Sequence, residues 1–170
     1  WFLRHGESTY NVRGLCNDDP ARPVPLTARG RRQAEAAADT LRDAPLERIF
    51  TSALPRCRET AAILDRHHGV PVVVAEHLHD IRTGFDGRPV AEYFTATGQD
   101  RWQVAAPGGE TLAAYAERVT GFLVWLEAQA FAAVAVVAHE ETLRVVAARY
   151  RGLDRRAMEQ VQAENAVPEL

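Results

Sequence analysis

The residues best suited to chemistry are two histidines and two arginines that each follow a short apolar run. Arg4 and His5 come straight after Phe2-Leu3. His139 follows Val136-Val137-Ala138, and Arg56 comes shortly after Ile49-Phe50-Thr51-Ser52. Short apolar runs of this kind read as strands, and Arg and His are costly to bury unless paired. In a parallel sheet all four side chains emerge at one carboxyl edge, the place where open α/β sheets bind ligands. A guanidinium fork matches phosphate oxygens bidentately, and helix N-termini at the same edge add backbone donors for an anion. The pocket that this set points to is one for a phosphate. Gly6 lets the backbone turn beside it and lets a ligand come close.

The elements that must hold this set follow from pattern. Thr27 predicts the N-cap of a helix over 28–41 with Ala34, Ala38 and Leu41 on one face. Pro55 suits the first turn of a helix that runs to about His68 and is closed by Gly69. The β-branched run over 70–75 predicts a strand buried on both faces. Residues 8–25 and 76–89 read as loops, and 90–98 as a short helix. After the break at Pro107-Gly108-Gly109, Leu112, Tyr115, Val119, Phe122, Leu123 and Leu126 recur at helical spacing over 110–129. A second buried strand over 132–138 ends at His139, and a helix over 142–150 is closed by Gly152. The tail around Asn165-Ala166-Val167 predicts a last strand. Strands that alternate with helices give the α/β class with a largely parallel sheet.

The 170 residues suit one domain over 1–170, and a start at Trp1 predicts a few residues upstream that extend the first strand. The formal net charge is −3 and all 20 basic residues are Arg, so no strongly basic balance points to nucleic acid. No apolar run reaches the ~18–20 residues that span a membrane, and no signal peptide is visible. Cys16 and Cys57 read as free thiols in a reducing compartment, and the expected location is the cytoplasm. His77 and His79 lack a third soft ligand at metal spacing, and His67-His68 reads as surface. Trp102 is expected to anchor local core beside the pocket.

In order along nearly the whole chain stand Arg4-His5-Gly6-Glu7-Ser8 with Asn11, Pro25-Leu26-Thr27 with Gly30, and Ser52-Ala53-Leu54 with Arg56 and Glu59-Thr60-Ala61. Leu78, Asp80 and Gly84 follow, then Pro107-Gly108-Gly109-Glu110 with Arg118, and Val137-Ala138-His139. With these motifs the sequence resembles the histidine phosphatase superfamily, the phosphoglycerate mutase-like family. The resemblance implies a three-layer α/β/α fold with a mostly parallel central sheet. It implies that His5 attacks phosphorus and carries a phosphohistidine, and that Arg4, Arg56 and a protonated His139 bind the phosphoryl oxygens. Asn11 and Ser8 would touch phosphate or substrate. No metal and no cofactor is implied. The implied activity is that of a metal-independent phosphomonoesterase, with a small phosphorylated metabolite as partner and a homodimer allowed.

Two positions depart from the family pattern. The family usually has Glu where this chain has Asp80, the residue implied as general acid; Glu76 lies nearby at a poorer spacing. A Gly normally follows the second histidine, and here it is Glu140. A carboxylate at a helix N-terminus is favoured by the dipole, so an outward Glu140 is expected; the alternative is contact with a cationic or hydroxyl-rich part of the substrate. Cofactor-dependent mutases of the family carry a long insertion where this chain has the short segment 87–107, which favours hydrolysis over the mutase alternative. A non-catalytic phosphate-binding or regulatory domain draws support only from Asp80 and Glu140.

Overall fold

The computed structural model describes residues 1–98 and 100–168. Its sheet is built from β1 (Phe2–Arg4), β2 (Arg48–Thr51), β3 (Val72–Val74) and β4 (Val134–Ala138). All pairings are parallel, in the order β1-β4-β2-β3. Because side chains alternate across a strand, neighbouring core residues part company. Leu3, Ile49, Ala135 and Val137 join Ala37, Ala38, Leu41, Cys57, Ala61 and Leu64 in one cluster. Phe50, Val136 and Ala138 join Leu112, Tyr115, Val119, Phe122, Val145 and Val146 in another. The first cluster is supplied by α2 (Ala28–Thr40) and α3 (Pro55–Leu64), the second by α5 (Leu112–Glu127) and α6 (Glu140–Arg151). The result is three layers, helices on both faces of a parallel sheet. The short helix α7 (Arg155–Glu159) adds Met158 to the second cluster, and α4 (Val90–Thr97) packs through Tyr93 with Cys16, Phe85 and Ala106 in a smaller one.

Four expectations are corrected. The segment after β1 contains a short helix, α1 (Thr9–Arg13), started by a reciprocal capping box between Ser8 and Asn11; with no apolar face it carries no periodic signal. β3 is not buried on both faces: Val72 and Val74 are exposed, because β3 is the edge of the sheet and not its centre. The tail makes no strand, only a single parallel bridge from Asn165 to Arg4. The helix expected over 142–150 starts earlier, so that Glu140 and Glu141 occupy its first turn. Among the described residues no helix is long and apolar enough to cross a membrane. Cys16 and Cys57 are both free and buried.

Candidate active site

The carboxyl ends of three adjacent strands build the site. Arg4 of β1 is in register with Ala138 of β4, and the ladder continues one step as the His5 amide donates to the Ala138 carbonyl at 3.0 Å. His5 and His139 therefore leave the sheet side by side, ring centroids 5.4 Å apart. Thr51 of β2 is in register with Val137, and Ser52-Ala53-Leu54 then turns the chain into α3, whose second residue is Arg56. His5, Arg56 and His139 are all buried.

The His5 ring is held by a defined set of bonds. Its Nδ1 lies 2.7 Å from the Gly6 carbonyl, and Arg56 donates Nε–H to its Nε2 at 2.9 Å. A carbonyl can only accept, so Nδ1 carries the proton and Nε2 keeps its lone pair. The backbone around it is fixed as well. The Gly6 amide donates to Thr60 Oγ1 at 3.1 Å, Thr60 Oγ1 donates to the Arg56 carbonyl at 2.8 Å, and Asn165 Nδ2 donates to the His5 carbonyl at 2.7 Å. Burial, then the Arg56 charge, holds the His5 imidazole well below its usual range. His139 is held down for the same two reasons, in the same order. In the unliganded cleft both rings are thus favoured in their neutral form.

Arg56 is the hub. Its Nη1 bonds Asn17 Oδ1, and its Nη2 reaches the Asn17 carbonyl at 3.1 Å, Asp80 Oδ2 at 2.8 Å and His139 Nδ1 at 3.3 Å. Asn17 is oriented in turn by its own bond to Asp86 Oδ1 at 3.0 Å. Arg4 donates Nη1–H to the Ala163 carbonyl at 3.0 Å, and its buried Nε has no partner. The Asp80 carboxylate lies 3.3 Å from His139 Nδ1. Burial raises its carboxyl to about 6 despite the opposing Arg56 charge. The Asp80 loop is drawn in by Arg118, which donates to the Asp80 carbonyl at 3.0 Å and to the His77 carbonyl at 2.7 Å. Arg118 itself is fixed on Glu110 at 2.7 Å, and Glu110 also accepts the Arg82 amide. Asp18 takes the amide and hydroxyl of Thr83. This is how a side chain one methylene shorter than Glu reaches the cluster.

The four groups surround a cleft of about 200 Å³ that Ser8, Asn11, Tyr93, Arg101, Glu140 and Glu141 also line. Ser8 and Asn11 bond each other, which leaves the Asn11 amide Nδ2 as that pair's donor. Glu140 does not point away as expected: its carboxylate bridges Arg4 at 3.1 Å and Arg144 at 2.9 Å. Glu76 is exposed and lines a neighbouring groove instead. Trp102 packs against core. Among the described residues no cluster suited to a metal ion occurs.

Sequence reasoning gave no site role to Asn17, Asn165 or Ala163, nor to Thr60, Glu110 or Arg118. The first three lie in polar or irregular segments where no period or spacing marks them. The other three stand within the motif stretches, which was the available signal.

Two guanidiniums and two imidazoles around one cleft at the carboxyl edge of a parallel sheet make a site suited to a phosphate group. The profile of the histidine phosphatase superfamily (branch 1) matches residues 1–167, and the chain belongs to that superfamily. It is 32% identical over 168 residues to adenosylcobalamin/alpha-ribazole phosphatase of Escherichia coli (strain K12), covering 93% of this chain and 81% of that protein. It is 33% identical over 159 residues to the protein of the same name from Salmonella typhimurium, covering 88% and 77%. Among solved structures, the alpha-ribazole phosphatase from Shigella flexneri superposes with a TM-score of 0.84 at 27% identity, over 98% of this chain and 86% of that one. The fold is therefore phosphoglycerate mutase-like, and the chain is a phosphatase, a phosphoric monoester hydrolase.

Proposed function

We propose that the chain hydrolyses small phosphate monoesters through a phosphohistidine on His5, without a metal ion. The observation that carries this reading is the His5 ring, with Nδ1 bonded to the Gly6 carbonyl and an unprotonated Nε2 among Arg56, His139 and Asp80. In the first step Nε2 attacks phosphorus, the N–P bond forms and the P–O bond to the alcohol breaks. The departing oxygen takes the Asp80 proton. In the second step water attacks the phosphohistidine and gives a proton to the Asp80 carboxylate. Inorganic phosphate leaves and His5 returns neutral. Arg4, with its unpartnered Nε, joins Arg56, His139 and Asn11 in neutralising and orienting the phosphoryl oxygens. Such positioning and charge neutralisation is most of what phosphoryl transfer asks of a protein. A dianion against His139 offsets the Arg56 charge that helps to keep it neutral, so the ring gains a proton most readily with phosphate in place.

The substrate class is a small phosphorylated metabolite. The two alpha-ribazole phosphatases named above make a ribazole phosphate the first compound to try. Hydrolysis is preferred to a mutase reaction because the short 87–107 segment gives water a path to the phosphohistidine. Two buried free thiols fit a reducing, cytoplasmic setting.

Turnover of para-nitrophenyl phosphate in EDTA tests the activity, and acid-labile, alkali-stable phosphoprotein trapped by rapid quench tests the intermediate. His5→Ala is expected to remove nearly all of both while the protein stays folded. Label on another residue, or activity lost to chelator and restored by a divalent ion, would overturn the mechanism.

A further inference from the structure

The far wall of the cleft holds polar atoms that the reaction above does not use. Tyr93 is 3% exposed, lines the cleft, and its hydroxyl lies beside Arg101 without a well-formed hydrogen bond. Glu141 spends one oxygen, Oε1, on both Arg101 at 2.7 Å and Arg144 at 2.8 Å. Its Oε2 is buried with no partner. Glu140 divides its two oxygens between Arg144 and Arg4. Every guanidinium in this wall thus already carries a carboxylate. The groups left over are a carboxylate oxygen, which only accepts hydrogen bonds, and a phenol, which accepts or donates. A buried acceptor without a donor is costly to leave so, and an incoming hydroxyl or ammonium supplies the donor. An incoming anion instead finds each of these guanidiniums already paired with Glu140 or Glu141, so to bind here it has to displace a carboxylate.

We infer that Glu140, Glu141 and Tyr93 form a specificity wall for the leaving group. It accepts alcohols that carry further hydroxyl or ammonium groups and rejects those that carry a second anion. The inference rests on the phosphatase reading above and deepens it. In this arrangement Glu140 acts by exclusion as much as by attraction, the second of the two routes to specificity. Arg4 keeps its Nε for the phosphoryl group while its Nη1 is occupied.

A matched pair of ligands tests this. Glycerol 3-phosphate and 3-phosphoglycerate differ only in a hydroxymethyl group against a carboxylate. Their inhibition constants are measured against para-nitrophenyl phosphate, with inorganic phosphate as the reference for the head group. The wild-type protein is expected to prefer glycerol 3-phosphate by at least about tenfold. Glu140→Gln should bring that ratio towards one by tightening 3-phosphoglycerate, and Glu141→Gln should act in the same direction. Tyr93→Phe should weaken glycerol 3-phosphate more than inorganic phosphate. If Glu140 only neutralises Arg4, its removal tightens all three ligands equally and the ratio stays put, which overturns the inference. A wild-type ratio near one does the same. Absence of any para-nitrophenyl phosphate hydrolysis would instead overturn the phosphatase reading. The same ratio, taken from ligand-induced thermal shifts, would then decide the wall on its own.

Discussion

Asp80 must be protonated when the alcohol leaves and ionised when water attacks, so a carboxyl that titrates near working pH suits it. Burial raises it to about 6 from an ordinary 3.8. For alkyl phosphates, kcat/KM is therefore expected to fall as pH rises through about 6, with the loss of the acid form. Asp80→Asn should cost alkyl phosphates ~10²–10⁴-fold, the usual worth of acid–base catalysis, and spare aryl phosphates, whose leaving group needs little help. Steady-state rates on both ester types against pH check this; equal losses would move the acid elsewhere. The same shift has a stability consequence. The native state holds this proton more tightly than the unfolded chain, so ionisation between about pH 4 and 6 costs stability that is fully lost above that window. Asp80→Asn, a mimic of the neutral form, should raise stability at pH 8 by on the order of 2 kcal/mol, read from urea unfolding, and do little near pH 4. The chemical residues were legible because each lies in a motif stretch, with His5 and His139 directly after a strand. Asn17 was not, since an Asn in a polar loop reads the same whether it steers Arg56 or faces water; only its bond to Asp86 tells the two apart.

Among the elements, the junction of β1 with α2 bears most directly on His5. A Cβ on Gly6 would lie 2.3 Å from the Gly30 carbonyl oxygen, and a Cβ on Gly30 would lie 2.0 Å from the Glu7 carbonyl oxygen. Both obstacles are backbone, so neither can swing aside. Thr27 caps α2 by accepting the Gly30 amide and donating to Glu7 Oε1 at 2.7 Å, which ties the same two segments together. Gly30→Ala is expected to destabilise the fold by about 1–3 kcal/mol, as overpacking does. It should also lower kcat on para-nitrophenyl phosphate by shifting the loop that carries His5; thermal melts and steady-state rates measure the two effects. Gly30 was legible as part of a motif, but the reason for it was not, because the contact is made by a segment distant in sequence. Helices with an apolar face, such as α2 and α5, were legible to within two residues. The burial of β3 was misjudged because a β-branched run looks alike in a central and an edge strand; strand order, a global property, makes the difference.

At the scale of the whole molecule, the two neutral buried histidines set the acid side of the stability profile. Their native values lie well below 6.5. As pH falls below that value the unfolded chain therefore takes up protons that the native state refuses, and stability drops. Asp80 works the other way but is one group against two. Urea unfolding is expected to give a lower free energy at pH 5.5 than at pH 7.5, with the difference reduced in His139→Asn; a flat profile would show that the rings are not held neutral. The three-layer class was legible from alternation alone, because helix and strand periods are local. The strand order was not, since it depends on which distant runs meet.

That order dictates when the site comes into being. Within the sheet β1 has β4 as its neighbouring strand, and the Trp1 nitrogen already bonds the Val134 carbonyl, 133 positions along the chain. On the ribosome β1 is made before its neighbour exists, so Arg4 and His5 wait as an unpaired strand through the synthesis of everything between. The Asn165 bond to the His5 carbonyl and the Ala163 bond to Arg4 come later still. A nascent chain halted anywhere before β4 should have no affinity for phosphate, however well its earlier helices have formed.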